Sequence, residues 1–343
     1  MHPIAYFYPT GHQSHSLPGH PERPERVEAI VAALTNAGWW EPYPKLNALE
    51  LPNQVLRAIH TRRHLSYIET TSCMGGRVDP DTYLTPQTWE LALQAAGGAA
   101  SVAAAVWLGK AQRGFALARP PGHHATPDRA MGFCLLNNVA LAAEYLIQEH
   151  GAQRLAIVDL DVHHGNGTQD IFYRRGDVLF ISTHQWPLYP GTGWLDKTGQ
   201  GAGKGATVNL PLPPLSGDRA YLAAMEEVIL PVIDRFSPEM ILVSAGMDAH
   251  WRDPLANLLL SGGAYGELVG SLAKWADENC QGRIALVWEG GYDLEGGAAC
   301  AVGAVAALLG EAFDDPVGRS PWQERENWRR VVDGARQLWG TQD

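Results

Sequence analysis

The sequence predicts an α/β protein, with a single open parallel sheet of about eight strands and helices on both faces. Apolar runs without alternation, such as Leu155 to Val158, Met240 to Gly246 and Ile284 to Trp288, are typical of strands that are buried on both sides. Helical patterns lie between successive runs of this kind. Because a chain that alternates strands and helices forms a parallel sheet covered by those helices, this order indicates the fold class.

The bulk composition indicates a globular protein and argues against some functional classes. With 343 residues, 45% hydrophobic and 18% charged, the chain is long enough for a substantial core and is not typical of a disordered protein. Its formal net charge of −11 argues against binding along a nucleic-acid backbone and is compatible with cationic substrates. The four cysteines form no closely spaced pair, and no signal peptide or transmembrane run is recognisable, so we expect a cytoplasmic protein.

The N-terminal part predicts a strand, a histidine-bearing loop and a helix. Ile4 to Tyr8 is a short strand, and the stretch Thr10 to Pro21, with three histidines among Gly and Pro, predicts a solvated or rim loop. A helix is expected between Pro24 and Gly38, because its apolar residues recur at helical spacing and proline suits a first turn. The composition from Asn47 to Pro86 is mixed and predicts no clear element.

Helices and strands alternate in the middle of the chain. An Ala-rich helix is predicted from Thr88 to Leu108, followed by a strand from Gly114 to Ala118. Asn138 is a good N-cap for a helix from Val139 to about Glu149. Further buried strands are predicted at residues 155–158, 178–182, 207–212, 240–246 and 284–288.

Two helical patterns and a tail complete the chain. The first pattern runs from Tyr221 to Val232 and is expected to be disturbed at Pro231, and the second lies around residues 265–272. The tail, at about residues 321–340, is rich in Trp and predicts a terminal helix docked on the body. Because no internal repeat, long linker or low-complexity segment interrupts the chain, residues 1–343 are expected to form one domain.

Ionisable side chains follow the strand at Leu155 to Val158 at alternate positions. Alternate residues of an extended chain point the same way, so Asp159, Asp161 and His163 should project together. Burying two carboxylates with an imidazole is costly unless a positive charge compensates them. Zinc accepts both ligand types, so this stretch predicts a metal site. The alternative is an Asp pair that caps a loop, with histidines that are satisfied behind it.

Three other strand ends carry polar residues that a metal-dependent reaction could use. His123 and His124 follow the strand that ends at Ala118, Asp248 follows the strand at 240–246, and Tyr292 follows the last strand. Ligands of parallel α/β sheets bind outside the carboxyl ends of the strands, so these residues are expected to converge on one edge. Together with Asp161 and His163 they would form a metal site, a general base and an electrophile.

At these residues the sequence resembles the zinc-dependent histone deacetylase family, within the arginase–deacetylase fold. The resemblance covers about residues 6–309, the expected catalytic core. Asn166 and the Arg-Pro-Pro-Gly form are similar to the class II branch and its bacterial deacetylase-like and acetylpolyamine amidohydrolase relatives. The motifs that carry the resemblance are Gly19-His-Pro-Glu-Arg-Pro-Glu-Arg26, Arg-Pro-Pro-Gly-His123-His124, Gly-Phe133-Cys-Leu-Leu-Asn-Asn, Asp159-Leu-Asp161-Val-His163-His-Gly-Asn166-Gly-Thr, Tyr189-Pro-Gly-Thr-Gly, Ala-Gly-Met-Asp248 and Glu-Gly-Gly-Tyr292.

The resemblance implies a mechanism in which water, activated by one zinc ion per chain, attacks an acetamide. It assigns the zinc to Asp161, His163 and Asp248. It makes His124 the general base and Tyr292 the donor to the oxyanion. It places His123 beside the base, where Asp159 would hold it in place, and it implies that Asn166 orients His124 without a charge.

The resemblance also implies substrate-binding residues and a structural potassium ion. Phe133 and Tyr189 would wall an acyl-lysine tunnel, and Asp81 would orient the substrate backbone at the rim. Leu255 stands where the polyamine-selective eukaryotic member of the family carries a glutamate, which weakens a polyamine assignment. The expected potassium site comprises Asp159, Asp161, His163, Ser182 and Thr183.

Several functional alternatives remain open at this point. The expected partner is an acetylated lysine peptide or protein, or another acetylated amine, with neither nucleic acid nor membrane, and the oligomeric state is left open. Within the same chemistry, an acetylpolyamine amidohydrolase is the nearest competitor. A ureohydrolase with two manganese ions would need more bridging carboxylates than Asp248 and Asp253 obviously provide. A catalytically silent acyl-lysine binding module would not need His124 or Tyr292.

Overall fold

The structure is a computed structural model that describes residues 1–340. At its centre lies an eight-stranded sheet in which every neighbouring pair is parallel, in the spatial order β2, β1, β5, β10, β9, β6, β7, β8, while β3 and β4 form a separate antiparallel pair. In chain order the strands are β1 (His2–Phe7), β2 (Lys45–Leu46), β3 (Gly76–Arg77), β4 (Tyr83–Leu84), β5 (Ala111–Ala116), β6 (Leu155–Asp159), β7 (Val178–Gln185), β8 (Thr207–Leu212), β9 (Met240–Ala245) and β10 (Ile284–Trp288).

Helices cover both faces of this sheet. A π-helical segment, Met225–Ile229, joins α7 to α8, and short 3₁₀ turns lie at His12–Ser14, Gly201–Gly203 and Glu326–Trp328. The α-helices of the described chain are α1 (Glu25–Asn36), α2 (Asn53–Ile59), α3 (Arg62–Met74), α4 (Thr88–Trp107), α5 (Asn138–His150), α6 (Asn166–Phe172), α7 (Asp218–Ala224), α8 (Leu230–Phe236), α9 (Gly262–Asn279), α10 (Leu294–Leu309) and α11 (Arg329–Trp339).

The core consists of two apolar layers, one on each face of the sheet. Strand β6 shows why, because successive side chains of a strand point to opposite faces. Ala156 and Val158 belong to the layer that includes residues of α1 and α7 to α11. Leu155 and Ile157 belong to the layer that includes residues of α2 to α6. The strand is therefore apolar throughout, and the expectation of strands buried on both sides is confirmed.

The predicted parallel sheet of eight strands is confirmed, and each predicted strand overlaps an observed one. The prediction of Asn138 as an N-cap is wrong by one residue. The Asn137 side chain accepts the Ala140 N–H at 3.1 Å, whereas Asn138 lies inside the helix and donates to the Pro120 carbonyl at 2.9 Å. The disturbance expected at Pro231 lies just before it, in the π-helical segment.

Several helices were not predicted from the sequence. Helices α2 and α3 lie in the stretch of mixed composition, and α6 is short, mostly buried and begins inside the motif that runs from Asp159 to Thr168. Helix α10 is built from Gly and Ala with few polar residues, so it has a weak helical periodicity. The predicted terminal helix is confirmed: α11 buries Val332, Ala335 and Trp339 against the body. No helix of residues 1–340 combines the length and apolar character that crossing a membrane requires.

Candidate active site

Four neighbouring strands in the middle of the sheet bring the predicted site residues to one edge. Strands β5, β10, β9 and β6 are adjacent, and parallel strands present their carboxyl ends on the same side. His123 and His124 follow β5, Tyr292 follows β10, and Asp248 follows β9. The run 159–166 leaves the end of β6. The structure therefore places these side chains together.

Asp161, His163 and Asp248 form a compact buried set, called the donor group below. One potential ligand atom from each residue lies within 4.8 Å of the other two. His163 Nδ1 lies 3.1 Å from Asp161 Oδ1 and 3.2 Å from Asp248 Oδ2. The backbone fixes the other oxygens, because the Gly290 N–H donates to Asp161 Oδ2 at 2.9 Å and the Val162 N–H to Asp248 Oδ1 at 2.8 Å. The carboxylates are thus held in place by fixed donors.

The protonation of the donor group shows a demand for positive charge. Burial alone would lower the pKa of His163, but its hydrogen bonds to Asp161 and Asp248 raise that pKa to about 10. Burial and the nearby Asp161 raise the pKa of Asp248. Burial also opposes ionisation of Asp161, yet His123 and His163 hold its pKa below the usual value. Two buried carboxylates side by side require a cation, which an imidazolium or a metal ion can supply.

Glycines allow the backbone to approach the donor group closely. A Cβ atom on Gly290 would lie 2.1 Å from Asp248 Oδ2 and 2.6 Å from Asp161 Oδ2. A Cβ atom on Gly246 would lie 2.2 Å from Asp161 Oδ2. Any side chain at either position would displace a carboxylate, so the cradle depends on glycine. Two carboxylates and one imidazole are a donor set that fits zinc.

Two histidines lie beside the donor group, and each has a different partner. His123 Nδ1 is 3.0 Å from Asp159 Oδ2, and His124 Nδ1 is 2.8 Å from Asn166 Oδ1. Their ring centroids are 4.0 Å apart. Because carboxylate and amide oxygens only accept hydrogen bonds, both Nδ1 atoms are donors. In neutral His124 the lone pair is therefore on Nε2.

The environments of the two histidines move their pKa values in opposite directions. Burial alone would lower the pKa of His123, but Asp161 and Asp159 raise it well above the usual value. Burial and the neighbouring His123 and His163 lower the pKa of His124 well below the usual value. A charged His123 beside a neutral His124 follows.

The loop that carries Tyr292 is held from both sides. Arg26 donates from Nε to the Gly291 carbonyl at 2.7 Å and from Nη2 to the Glu289 carbonyl at 2.6 Å. On the other side, the Tyr292 N–H donates to Asp253 Oδ2 at 2.6 Å. The Arg26 guanidinium also lies 4.6 Å from the centre of the Tyr292 ring. Burial raises the pKa of Tyr292 well above the usual value, so its hydroxyl keeps its proton and can donate it in a hydrogen bond.

A cleft of about 340 Å³ leads from the surface to these groups. The four residues expected to bind substrate, Phe133, Tyr189, Asp81 and Leu255, all line it. His124, His163 and Tyr292 line it as well, together with His20, Pro21, Gly132 and Leu188. One cleft therefore contacts the donor group, the neutral imidazole, the tyrosine and the expected substrate residues.

Two aromatic rings form walls of this cleft. Tyr189 meets His124 edge to face with ring centroids 5.2 Å apart, and Phe133 meets Tyr292 in the same way at 5.7 Å. Phe133 has a backbone φ of +69°, an uncommon conformation for a bulky residue, and its N–H donates to Thr82 Oγ1 at 3.0 Å. The walls are apolar, while the inner end of the cleft is polar.

His20 is a cleft residue that sequence reasoning missed. Its ring Nε2 lies 2.9 Å from the Asp81 carbonyl, and its ring centroid lies 4.8 Å from that of Phe133. It thereby contacts both the rim residue and one wall. Its place in the Gly19-His-Pro-Glu motif and the prediction of a solvated or rim loop were the available signals, but neither assigned His20 to the cleft.

The prediction of a solvated or rim loop is wrong for His12 and His15, because both side chains are buried. Arg119 donates to the His12 and His15 carbonyls at 2.6 Å each, and it pairs with Glu22 at 2.7 Å. Glu22 also pairs with Arg26 at 3.1 Å. Burial alone would raise the pKa of Glu22, but Arg119, His15 and Arg26 lower it to about 2. This buried ion network connects the loop to the arginine that holds the Tyr292 backbone.

A second group of potential ligands lies behind His123. His123, Cys134 and Glu289 are buried with ligand atoms within 4.8 Å of one another. Glu289 Oε2 accepts from the Gly122 and His123 N–H groups at 2.6 and 3.1 Å, whereas Oε1 has no partner within residues 1–340. Burial raises the pKa of Glu289 to about 8. Sequence reasoning did not single out Cys134 or Glu289.

The residues expected to bind potassium lie at and just after the end of β6 and in the adjoining part of β7. Asp159 is paired with Ser182 in the sheet, and Thr183 follows directly. The Thr183 hydroxyl is buried and has no hydrogen-bond partner in the described part of the chain. Such an orphaned oxygen is compatible with a cation site.

Fold and site together define a class: an α/β enzyme whose hydrolytic site lies at the carboxyl ends of its central strands. Comparisons with known proteins agree. A family model described as "Histone deacetylase domain" matches residues 20–308. The crystal structure of the HDA15 HD domain superposes with a TM-score of 0.88 at 35% identity, and the match covers 99% of this chain and 96% of that one.

Curated relatives carry deacetylase and amidohydrolase names. The chain is 41% identical over 319 residues to a probable deacetylase of Archaeoglobus fulgidus, covering 90% of this chain and 89% of the relative. It is 42% identical over 349 residues to the chloroplastic histone deacetylase 10 of Oryza sativa, covering 94% and 78%. It is 37% identical over 303 residues to a histone deacetylase-like amidohydrolase of Pseudomonas aeruginosa, covering 87% and 80%. The chain belongs to the histone deacetylase family and is a hydrolase that acts on amides.

Proposed function

We propose that the protein is a zinc-dependent amidohydrolase that removes acetyl or other acyl groups from lysine side chains or similar amines. One observation carries the proposal. The apolar walls formed by Phe133 and Tyr189 lead to the donor group, with neutral His124 and protonated Tyr292 beside it. A neutral acylated stem fits such walls, and its amide would reach the polar end.

We assign one zinc ion per chain to Asp161, His163 and Asp248. The assignment is supported by the buried position of all three side chains, by their donor chemistry and by the glycine cradle around them. The carboxylates that raise the pKa of His163 would attract the ion in the same way. When bound, zinc would acidify a water molecule and polarise the substrate carbonyl.

His124 is the proposed general base and, later, the general acid. Its lowered pKa leaves Nε2 free to take a proton as water attacks the acyl carbon. The same nitrogen then delivers that proton to the departing amine. Asn166 orients the ring through Nδ1 without adding charge, and His123 stays charged against Asp159.

Tyr292 is the proposed oxyanion donor. Its hydroxyl stays protonated because burial raises its pKa, so it can donate to the carbonyl oxygen as negative charge develops there. Arg26 and Asp253 fix the backbone on either side of Tyr292, and these hydrogen bonds orient the ring. A donor placed in advance needs no reorganisation during the reaction.

The cleft favours acyl-lysine over acetylated polyamines. Leu255 lines the cleft, and among the lining residues only Asp81 is a carboxylate. Asp81 is exposed, so it could contact a peptide backbone or a cation only at the mouth. An acetylpolyamine would bring its free ammonium group into the cleft without a buried partner, which costs binding energy.

Other features of the proposal concern the whole protein. The potassium site at Asp159, Asp161, His163, Ser182 and Thr183 is proposed on the orphaned Thr183 oxygen and on the pairing of Asp159, at the end of β6, with Ser182 in β7. A single catalytic domain in residues 1–343, with its core at about 6–309, and a cytoplasmic location stay predictions from the sequence.

A panel of substrates tests the proposal. Purified protein is assayed with acetyl-lysine peptides, longer-chain acyl-lysine peptides and acetylputrescine, each with and without a hydroxamate. We expect turnover of an acyl-lysine peptide, inhibition by the hydroxamate and weaker turnover of acetylputrescine. Preference for acetylputrescine would favour the polyamine alternative, and binding of acyl-lysine without turnover would favour the silent module.

A further inference from the structure

The loop that carries Tyr189 is fastened to the body by two buried imidazoles that the proposed chemistry does not use. His164 and His184 lie side by side, with ring centroids 4.7 Å apart, and both are buried. They contact the loop at Thr192 and Gly193. The Gly191 N–H bonds to the Leu188 carbonyl at 2.9 Å, so a tight turn joins this attachment point to Tyr189.

The first attachment runs through the Thr192 hydroxyl. His164 Nε2 lies 3.2 Å from Gln169 Oε1, and Asn209 Nδ2 donates to the same oxygen at 2.8 Å. An amide oxygen can only accept, so His164 Nε2 carries the proton. In the neutral ring Nδ1 then accepts, and its partner is the Thr192 hydroxyl at 2.7 Å. Thr192 is exposed, yet it is the only donor recorded for this buried acceptor among residues 1–340.

The second attachment runs through the Gly193 backbone. His184 Nε2 donates to the Gly193 carbonyl at 3.0 Å, while its Nδ1 accepts from the Ser182 hydroxyl at 2.9 Å. Gly193 also packs directly on both rings: a Cβ atom there would lie 2.5 Å from His164 Cδ2 and 2.7 Å from His184 Cε1. Its φ of +88° likewise suits glycine. Backbone and side chain thus hold the same two residues of the loop.

Tyr189 meets the reactive groups at the other end of this turn. Its ring lies edge to face with His124 and His163, at centroid distances of 5.2 and 6.4 Å. Gly132 leaves room for it, since a Cβ atom there would lie 2.9 Å from Tyr189 Cε1. Tyr189 is itself 42% exposed, so its own packing holds it only in part. The attachment at 192–193 is thus one of the contacts that can hold this wall in place, beside the packing of Trp186 on Trp194 at a centroid distance of 5.4 Å.

We propose that His164 and His184 are positioning residues that hold the loop at 188–193 so that Tyr189 walls the substrate cleft. The inference rests on the proposed function, because it assigns the loop to acyl-lysine binding. Neither imidazole touches the reacting atoms. Loss of the attachment lets Tyr189 leave the cleft, which weakens substrate binding more than it slows the reaction of bound substrate.

Thr192 offers a test that leaves the buried rings intact. Thr192→Val keeps the shape of the side chain but removes the donor to His164, whereas Thr192→Ser keeps the hydroxyl and serves as the matched control. Because the buried acceptor on His164 then lacks its donor, the loop detaches more easily, and we expect KM for an acetyl-lysine peptide to rise about three- to tenfold in Thr192→Val. We expect kcat to change less than about twofold, and Thr192→Ser to resemble the wild type.

Two further measurements separate positioning from general damage. Hydrogen exchange of the amides at 188–195 should be faster in Thr192→Val than in the wild type or Thr192→Ser, while zinc content and melting temperature stay unchanged. An unchanged KM in Thr192→Val, or equal losses in both variants, would overturn the proposal. If the wild type itself turns over no acylated substrate, the proposed function fails instead, and the exchange rates still report on the attachment.

Discussion

Replacement of Asn166 by Asp tests the proposed division of labour between the two histidines. The change is isosteric and puts a carboxylate oxygen where Asn166 Oδ1 now lies 2.8 Å from His124 Nδ1. The second oxygen would take the place of Nδ2, whose contacts to the His124 carbonyl and the Met131 sulfur are long, at 3.5 Å each. The main effect is therefore a new negative charge beside the base.

The expected size follows from this distance and the burial of both groups. A counter-charge in direct contact moves a pKa by about 1 to 3, and each pKa step is worth about 1.4 kcal/mol. A unit charge pair at 4 Å and an effective dielectric constant near 20 is worth about 4 kcal/mol, which sets the upper limit. The sign is upward, because the imidazolium form of His124 is stabilised. A base works only when unprotonated, so activity lost on acidification should be lost at higher pH in the variant.

The assay is the pH dependence of kcat/KM for an acetyl-lysine peptide, measured between about pH 5 and pH 10. We expect the acidic limb of the profile to lie at a pH higher by about 1 to 3 in Asn166→Asp than in the wild type, with zinc content unchanged. Asn166→Ala is the control, because it removes the hydrogen bond that raises the pKa of His124. The acidic limb of its pH profile should stay at the same pH or move to lower pH, while kcat falls. A limb at the same pH in Asn166→Asp and the wild type would refute the assignment of His124 as the base.

Three further predictions concern the tyrosine, the cleft and the buried ion network. Tyr292→Phe should lower kcat about 10²–10³-fold with little change in KM, and full turnover in a steady-state assay would contradict its role as oxyanion donor. Leu255→Glu should raise the ratio of kcat/KM for acetylputrescine to kcat/KM for an acetyl-lysine peptide by about tenfold or more. An unchanged ratio would show that this residue does not determine substrate selectivity. Glu22→Gln leaves two buried guanidinium groups without a counter-charge and should lower the free energy of unfolding in urea by about 3–5 kcal/mol. Because folding lowers the pKa of Glu22 from 4.5 to about 2, that loss should be full above pH 4.5 and shrink as the pH falls towards 2; a constant difference would contradict it.

The sheet and the strand-end residues were predictable because they depend on local periodicity. Alternate side chains of an extended chain share a direction, and parallel strands share a carboxyl edge, so Asp161, His163 and Asp248 could be grouped without coordinates. The family resemblance added the roles, including the walls Phe133 and Tyr189, and the structure places both in the same cleft.

What the sequence did not reveal depends on contacts between distant segments. His12 and His15 have the composition of a solvated loop, but their carbonyls are acceptors for Arg119, which lies more than a hundred residues away. The N-cap of α5 fell on Asn137 because Asn138 is used by the Pro120 carbonyl. Gly- and Ala-rich helix α10 lacks the polar face from which a helix is recognised.

The most direct test of the central claim is the metal content of the purified protein, measured together with activity on an acetyl-lysine peptide. The account predicts one zinc per chain in the wild type, and loss of both zinc and turnover in Asp248→Ala. Wild-type protein with two manganese ions per chain, or an Asp248→Ala variant that keeps both its zinc and its activity, would contradict the account.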